Sequence, residues 1–237
     1  MTEINGWGVN DAKEDVLKAL IEEFNRSKCN NMIISSEILR SFYNNKNAAW
    51  FFSEMREVFD NIKIIVYLRR QDKWLESLYN QNIKDPVTKY SGTFEDFTER
   101  MNDSGNYTSL LQDWMSIIPR DNIIVMFYKE MYLGNENIFK EFLGLFGLDD
   151  ESIDEFTLIN KRVNVSLNAA QLGLIKKINS CDIGLEERRG INEYIISNLK
   201  EESSLSECYL DREGVIMKKY TEINLKLMKM LGIDKLW

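Results

Sequence analysis

The chain of 237 residues contains no histidine. An imidazole general base, a histidine-dependent triad and a histidine-rich metal site are therefore excluded, and any proton transfer falls to Glu, Asp, Lys, Tyr or Cys. Proline occurs only twice and no Gly/Ser-rich tract is present, which argues against a long linker. The three cysteines, Cys29, Cys181 and Cys208, are odd in number, far apart and without metal-ligand spacing. They suit reduced thiols of a cytosol better than a disulfide framework. No apolar run approaches the ~18 residues that a membrane span needs. The opening MTEINGWGVNDAKED is acidic and polar, unlike a signal or transit peptide. A formal net charge of −8 with no basic tail argues against binding a nucleic-acid backbone, so any anion site must be local. These absences point to a cytoplasmic protein with no membrane span and no nucleic-acid partner.

With 44% apolar and 11% aromatic residues, the chain can bury a sizeable core. It reads as a single domain over 1–237, with an α/β core over about 30–150 and a helical part over about 165–237. Val16, Leu17, Leu20, Ile21 and Phe24 recur at helical spacing between Asp11 and Lys28. NMIIS (31–35) predicts a short strand, and NAAWFFSEMREVF a helix ending near Phe59. IKIIVYL (62–68) and NIIVMFY (122–128) are nearly continuous in β-branched and apolar residues, the pattern of strands covered on both faces in a parallel sheet. Helices are expected between and after them: one capped by Asp72 that turns Trp74, Leu75, Leu78 and Tyr79 inward, then TFEDFTERM, YTSLLQDWMSII and FKEFLGLFGL, with a loop near Cys181 to Gly184. Alternating strands and helices imply an α/β layered fold.

In open parallel sheets, ligands bind beyond the carboxyl ends of the strands. Here those ends read SSE (35–37), RR (69–70) and YKE (128–130). Arg69, the Ser77 hydroxyl and the N-terminal field of the intervening helix can together hold a phosphate. The same residues also admit a plainer account, in which the arginines pair with carboxylates such as Glu76 and Ser77 is a small residue at a helix contact. The tryptophans Trp50, Trp74 and Trp114 fit core positions better than a sugar-stacking platform.

IIVYLRRQDKWLESLYNQ resembles the 3′-phosphate-binding segment of the sulfotransferase superfamily, in which a strand ends in Arg, a helix begins, and Ser follows eight residues after that Arg. Arg69 and Ser77 match those positions. IISSEIL, YTSLLQDWMSIIPRDNIIVMFYKE, EFLGLFGL and RVNVSLNAA follow the family's order, so the similarity covers roughly residues 30 to 180. The resemblance implies a P-loop-NTPase-like three-layer sheet flanked by helices. It further implies that 3′-phosphoadenosine 5′-phosphosulfate is the co-substrate, without a metal, and that a hydroxyl or amine of a saccharide or glycolipid is the acceptor, as in bacterial polysaccharide biosynthesis. Glu37 becomes the candidate catalytic base, and Arg162, with Asn164 and Ser166, a candidate for closing over the nucleotide. Glu37 also suits a helix start, and the other three a loop and a helix cap.

One part of the family pattern has no counterpart here. Its members open with a strand and a Gly-rich loop, G-x-x-K-x-G-T, that holds the 5′-phosphosulfate. The only early glycines are Gly6 and Gly8, with no apolar strand before them. The expectation is a shortened form without its first βα unit. The alternatives are a nucleotide-binding relic that transfers nothing and a helical interaction module.

Overall fold

The computed structural model describes residues 13–35, 46–128, 137–154, 166–199 and 213–237. Over these residues the chain is a mixed α/β protein with a small parallel sheet and many helices. Two helices come first, α1 (Lys13–Ser27) and α2 (Lys46–Arg56). Strand β1 (Ile64–Leu68) then runs into α3 (Gln71–Lys84), α4 (Phe94–Arg100) and α5 (Tyr107–Met115). Strand β2 (Ile123–Phe127) pairs with β1, and the Tyr128 N–H extends the pairing by donating to the Leu68 carbonyl at 2.8 Å. Helices α6 (Asn137–Gly144), α7 (Asp150–Asp154), α8 (Ala169–Asn179), α9 (Leu185–Asn198), α10 (Glu213–Lys219) and α11 (Thr221–Leu231) complete the described elements.

NMIIS differs from expectation. Residues 31–35 form no strand, and Ile33 is 53% exposed. A strand exists only where a neighbour supplies N–H and C=O partners, and among the described residues only β1 and β2 make a ladder. The apolar run at 62–68 and that at 122–128 do pair, over the shorter spans of β1 and β2.

The chain separates into two compact units, one drawn from residues up to Val66 and from Ser109–Ile124, the other from Tyr67–Thr108 and from Val125 onward. In the first, the apolar stripes of α2 and α5 meet: Phe52 and Trp114 pack edge to face at 5.8 Å, Phe51 lies 5.4 Å from Phe52, and Leu111 and Ile118 are buried. Such aromatic pairs add about 0.5 to 1.5 kcal/mol beyond the area they bury. Arg56 reaches the Ile117 carbonyl with a 2.5 Å hydrogen bond, which tethers the end of α2 to the turn after α5.

The second unit is centred on α3. Leu75, Tyr79 and Ile83, at helical spacing, are buried against Phe94, Phe97, Leu167, Ile175, Ile216 and Tyr220. The Tyr79 hydroxyl donates to the Gly92 carbonyl at 3.0 Å, so the ring is buried without a stranded polar tip. Helix α4 starts at a capping box in which Thr93 and Asp96 satisfy each other's backbone N–H. At Gly105 a Cβ would stand 2.5 Å from the buried Tyr220 ring, so only glycine fits there. The Gly105 carbonyl lies 3.5 Å from the Gln71 amide nitrogen, and Gln71 and Asn224 exchange hydrogen bonds of 2.6 and 3.3 Å. That buried amide pair locks the entrance of α3 to α11.

Arg188 is buried at 2% exposure and serves the turn between α8 and α9. Its guanidinium donates to the carbonyls of Ile178, Cys181 and Ile183 at 2.6, 3.1 and 3.0 Å. The cation thus sits at the negative end of α8, where unsatisfied carbonyls collect.

Candidate functional site

Strand β1 ends at the buried Leu68, and Arg69 follows with its backbone pinned, because the Tyr107 hydroxyl donates to the Arg69 carbonyl at 2.7 Å. Its guanidinium lies over the Tyr128 ring, 5.2 Å from the centroid. Strand pairing fixes this contact, since Tyr128 is held to Leu68 by the backbone hydrogen bond that prolongs the ladder. The Arg69 Nε is buried and has no hydrogen-bond partner, and no carboxylate among the described residues pairs with the side chain.

Its neighbours are different. Arg70 makes a two-pronged contact with Asp72, Nε to Oδ1 at 2.8 Å and Nη2 to Oδ2 at 2.7 Å. Asp72 is 1% exposed, and its carboxylate is spent on Arg70 rather than on the helix backbone. The expected Asp72 cap is therefore corrected: α3 begins one residue before Asp72, with Arg70 at the cap position and no side-chain cap. An ionic fork with a neighbouring guanidinium is a stronger partner for a carboxylate than a helix-end N–H.

Lys73 pairs with Glu76 at 3.4 Å, one turn further along, with side chains 17% and 21% exposed. Burial pushes the Glu76 carboxyl above its ordinary range; Lys73 and Arg69 draw it back down, while Asp72 pushes it further up. Among the described residues, the formal charges at the entrance of α3 thus comprise three cations, Arg69, Arg70 and Lys73, and two anions, Asp72 and Glu76. The excess positive charge falls on Arg69, in the first-turn field of a 14-residue helix. Chemically this arrangement suits an anion.

Ser77 sits on α3 immediately after Glu76 and is exposed, with no side-chain hydrogen bond among the described residues. Helical rise puts it about 9 Å along the axis from the first residue of α3. The plainer sequence account is right for Arg70, which does pair with a carboxylate, although with Asp72 rather than Glu76. It fails for Arg69. Glu37, Arg162 and Asn164 lie outside the described residues, as do Lys129 and Glu130; Ser166 is described and exposed. What sequence reasoning missed is the bracing of Arg69 by two tyrosines and the Lys73–Glu76 pair. The second had a visible signal in its i, i+3 spacing.

Asn80, on the same helix, is 5% exposed and ties α3 to the segment before α8. Its Oδ1 accepts the Leu167 N–H at 3.1 Å, while its Nδ2 donates to the Glu76 carbonyl at 3.2 Å. Asn168 then caps α8 in a box with Gln171. A separate shallow hollow lies along α8, lined by Ser91, Leu172, Gly173, Lys176, Lys177 and Ser180. None of the described candidate residues borders it. Among the described residues no His/Cys/Asp/Glu group has the makings of a metal site, and no helix is long and apolar enough to cross a membrane.

A family model described as sulfotransferase domain matches residues 51–200, a span that includes β1, α3, β2 and α8. Over 170 residues the chain is 29% identical to an uncharacterized protein of Archaeoglobus fulgidus, an alignment that covers 70% of this chain and 45% of that relative. The chain thus spans less than half the length of that relative. No solved structure matches it.

Proposed function

Because this chain belongs to the sulfotransferase domain family, matched over residues 51–200, we propose that Arg69 and Ser77 hold the 3′-phosphate of 3′-phosphoadenosine 5′-phosphosulfate. One observation supports the reading: Arg69 is the cation at the entrance of α3 that no carboxylate among the described residues neutralises, with a buried Nε lacking an acceptor. A phosphate oxygen supplies that acceptor, and a doubly charged group offsets the local positive excess. Ser77 adds a neutral donor further along the helix, and Arg162 closes over the nucleotide.

In the full reaction, the sulfo group passes in line to a hydroxyl or amine, with a saccharide or glycolipid as the acceptor class and Glu37 as the base. Positioning and electrostatic stabilisation of the leaving phosphate supply most of the rate, and no metal is required. The architecture in this reading is the three-layer, P-loop-like sheet of the family, a single domain over 1–237, acting in the cytoplasm. A Gly-rich loop for the 5′-phosphosulfate is not among these 237 residues. For this chain by itself we therefore expect nucleotide binding without turnover.

Calorimetry with adenosine 3′,5′-bisphosphate tests the reading. Loss of two charge-assisted hydrogen bonds on Arg69→Ala weakens binding by about 100-fold, or roughly 3 kcal/mol. Equal affinity of parent and variant sinks the assignment.

A further inference from the structure

Resting on that reading, we propose that Lys73 is a second ligand of the 3′-phosphate and that Glu76 is its exchangeable partner. As the phosphate dianion arrives, the Lys73 ammonium moves from the Glu76 carboxylate to a phosphate oxygen, and the vacated carboxylate takes a proton from solvent. Neither the family match nor the sequence pattern assigns a role to either residue.

Three observations support the exchange. The Lys73–Glu76 contact is long for a charge-assisted hydrogen bond, 3.4 Å where about 2.8 Å is usual, so it is readily surrendered. By contrast, the Arg70–Asp72 fork has two bonds of 2.8 and 2.7 Å around a carboxylate 1% exposed, and it stays closed. Second, Glu76 is close enough to Arg69 for the guanidinium charge to act on its carboxyl, so a phosphate bound at Arg69 brings two negative charges into the surroundings of Glu76. Among the described residues, the charged groups that act on Glu76 are Lys73 and Asp72 on its own helix and Arg69 at the end of β1. Once phosphate neutralises Arg69 and draws off Lys73, only the repulsive Asp72 remains.

Third, burial already biases Glu76 toward its protonated form. An ionised, partly buried carboxylate that loses its cation and gains a dianion as neighbour is costly, and protonation is the ordinary escape. The charge count closes on the same state. Three cations against Asp72 and a dianion sum to zero, whereas an ionised Glu76 would leave one uncompensated negative charge.

The test is calorimetry of adenosine 3′,5′-bisphosphate at pH 7.5 in two buffers of different ionisation enthalpy, which reads the protons taken up on binding. The parent, Lys73→Met, Glu76→Gln and Arg69→Ala are compared. Above its second pKa of about 6, the ligand phosphate is already dianionic, so the difference in uptake between parent and Glu76→Gln belongs to Glu76. The expected results are an uptake in the parent that disappears in Glu76→Gln, tighter binding by Glu76→Gln, and binding about tenfold weaker in Lys73→Met. Binding that depends on Arg69 but is unchanged in Lys73→Met, or shows the same proton uptake in Glu76→Gln as in the parent, overturns the exchange and leaves the proposed site standing. Absence of any Arg69-dependent binding overturns both.

Discussion

Replacing Arg188 with methionine keeps most of the aliphatic length and removes the guanidinium that closes the turn between α8 and α9. Three carbonyls lose a charged donor, those of Ile178, Cys181 and Ile183, at 2.6, 3.1 and 3.0 Å. Hydrogen bonds to a charged group contribute about 1.5 to 3 kcal/mol each. Cys181 is exposed and its carbonyl can turn to water, so the full sum is not lost. Ile178 sits in the last turn of α8, and its carbonyl, bonded by the shortest of the three contacts, is the dominant loss. Favourable interaction of the cation with the helix end adds roughly 0.3 to 1 kcal/mol. In the opposite direction, the variant no longer desolvates a guanidinium that has no carboxylate partner among the described residues, a cost of several kcal/mol. The balance is a destabilisation of about 3 kcal/mol, which for a chain of this size lowers the melting temperature by about 6 to 12 °C. Urea denaturation followed by far-ultraviolet circular dichroism measures it, with an unchanged slope as the sign that only stability has moved. Arg188→Lys is expected to fall between, because one ammonium cannot span three carbonyls set around a planar fork. A methionine variant as stable as the parent would refute the reasoning, since desolvation would then cancel all three bonds.

Two further outcomes follow from the same structure. Asn80→Ala leaves the buried Leu167 N–H without its acceptor and is expected to cost about 1 to 3 kcal/mol in a urea melt; no change would mean that the 3.1 Å contact contributes nothing. Glu76 has a folded pKa raised above its ordinary 4.5, so the folded state binds more protons there than the unfolded one, and stability falls as pH rises from 4.5 through the raised value. In Glu76→Gln that part of the pH dependence disappears, and a urea midpoint that varies identically in both proteins counts against it.

Much of the frame was legible because it rests on local pattern. The β-branched runs at 62–68 and 122–128 contain the strands β1 and β2, the loop between Asn179 and Leu185 falls where Cys181 to Gly184 suggested, and Leu75 and Tyr79 are buried as their spacing implied. Trp114 is core, as its place in the helical pattern implies. Other features depend on partners far away in sequence, and no local signal marks them. Gln71 and Asn224 are 153 positions apart. Arg188 lies in the polar run GLEERRG, yet it is buried because the preceding turn offers it three carbonyls. NMIIS has strand composition, but composition cannot supply a ladder partner. At the site, the motif singled out Arg69 but not why it is available. Among the described residues, Asp72 and Glu76 are committed to Arg70 and Lys73, which only the side-chain geometry reveals.

A crystal structure of the chain soaked with adenosine 3′,5′-bisphosphate puts the account to its most direct test. The 3′-phosphate should lie with an oxygen within about 3 Å of the Arg69 Nε, over the first turns of α3. A nucleotide whose phosphates instead occupy the Lys176 and Lys177 hollow, with the Arg69 Nε still lacking an acceptor, would contradict it.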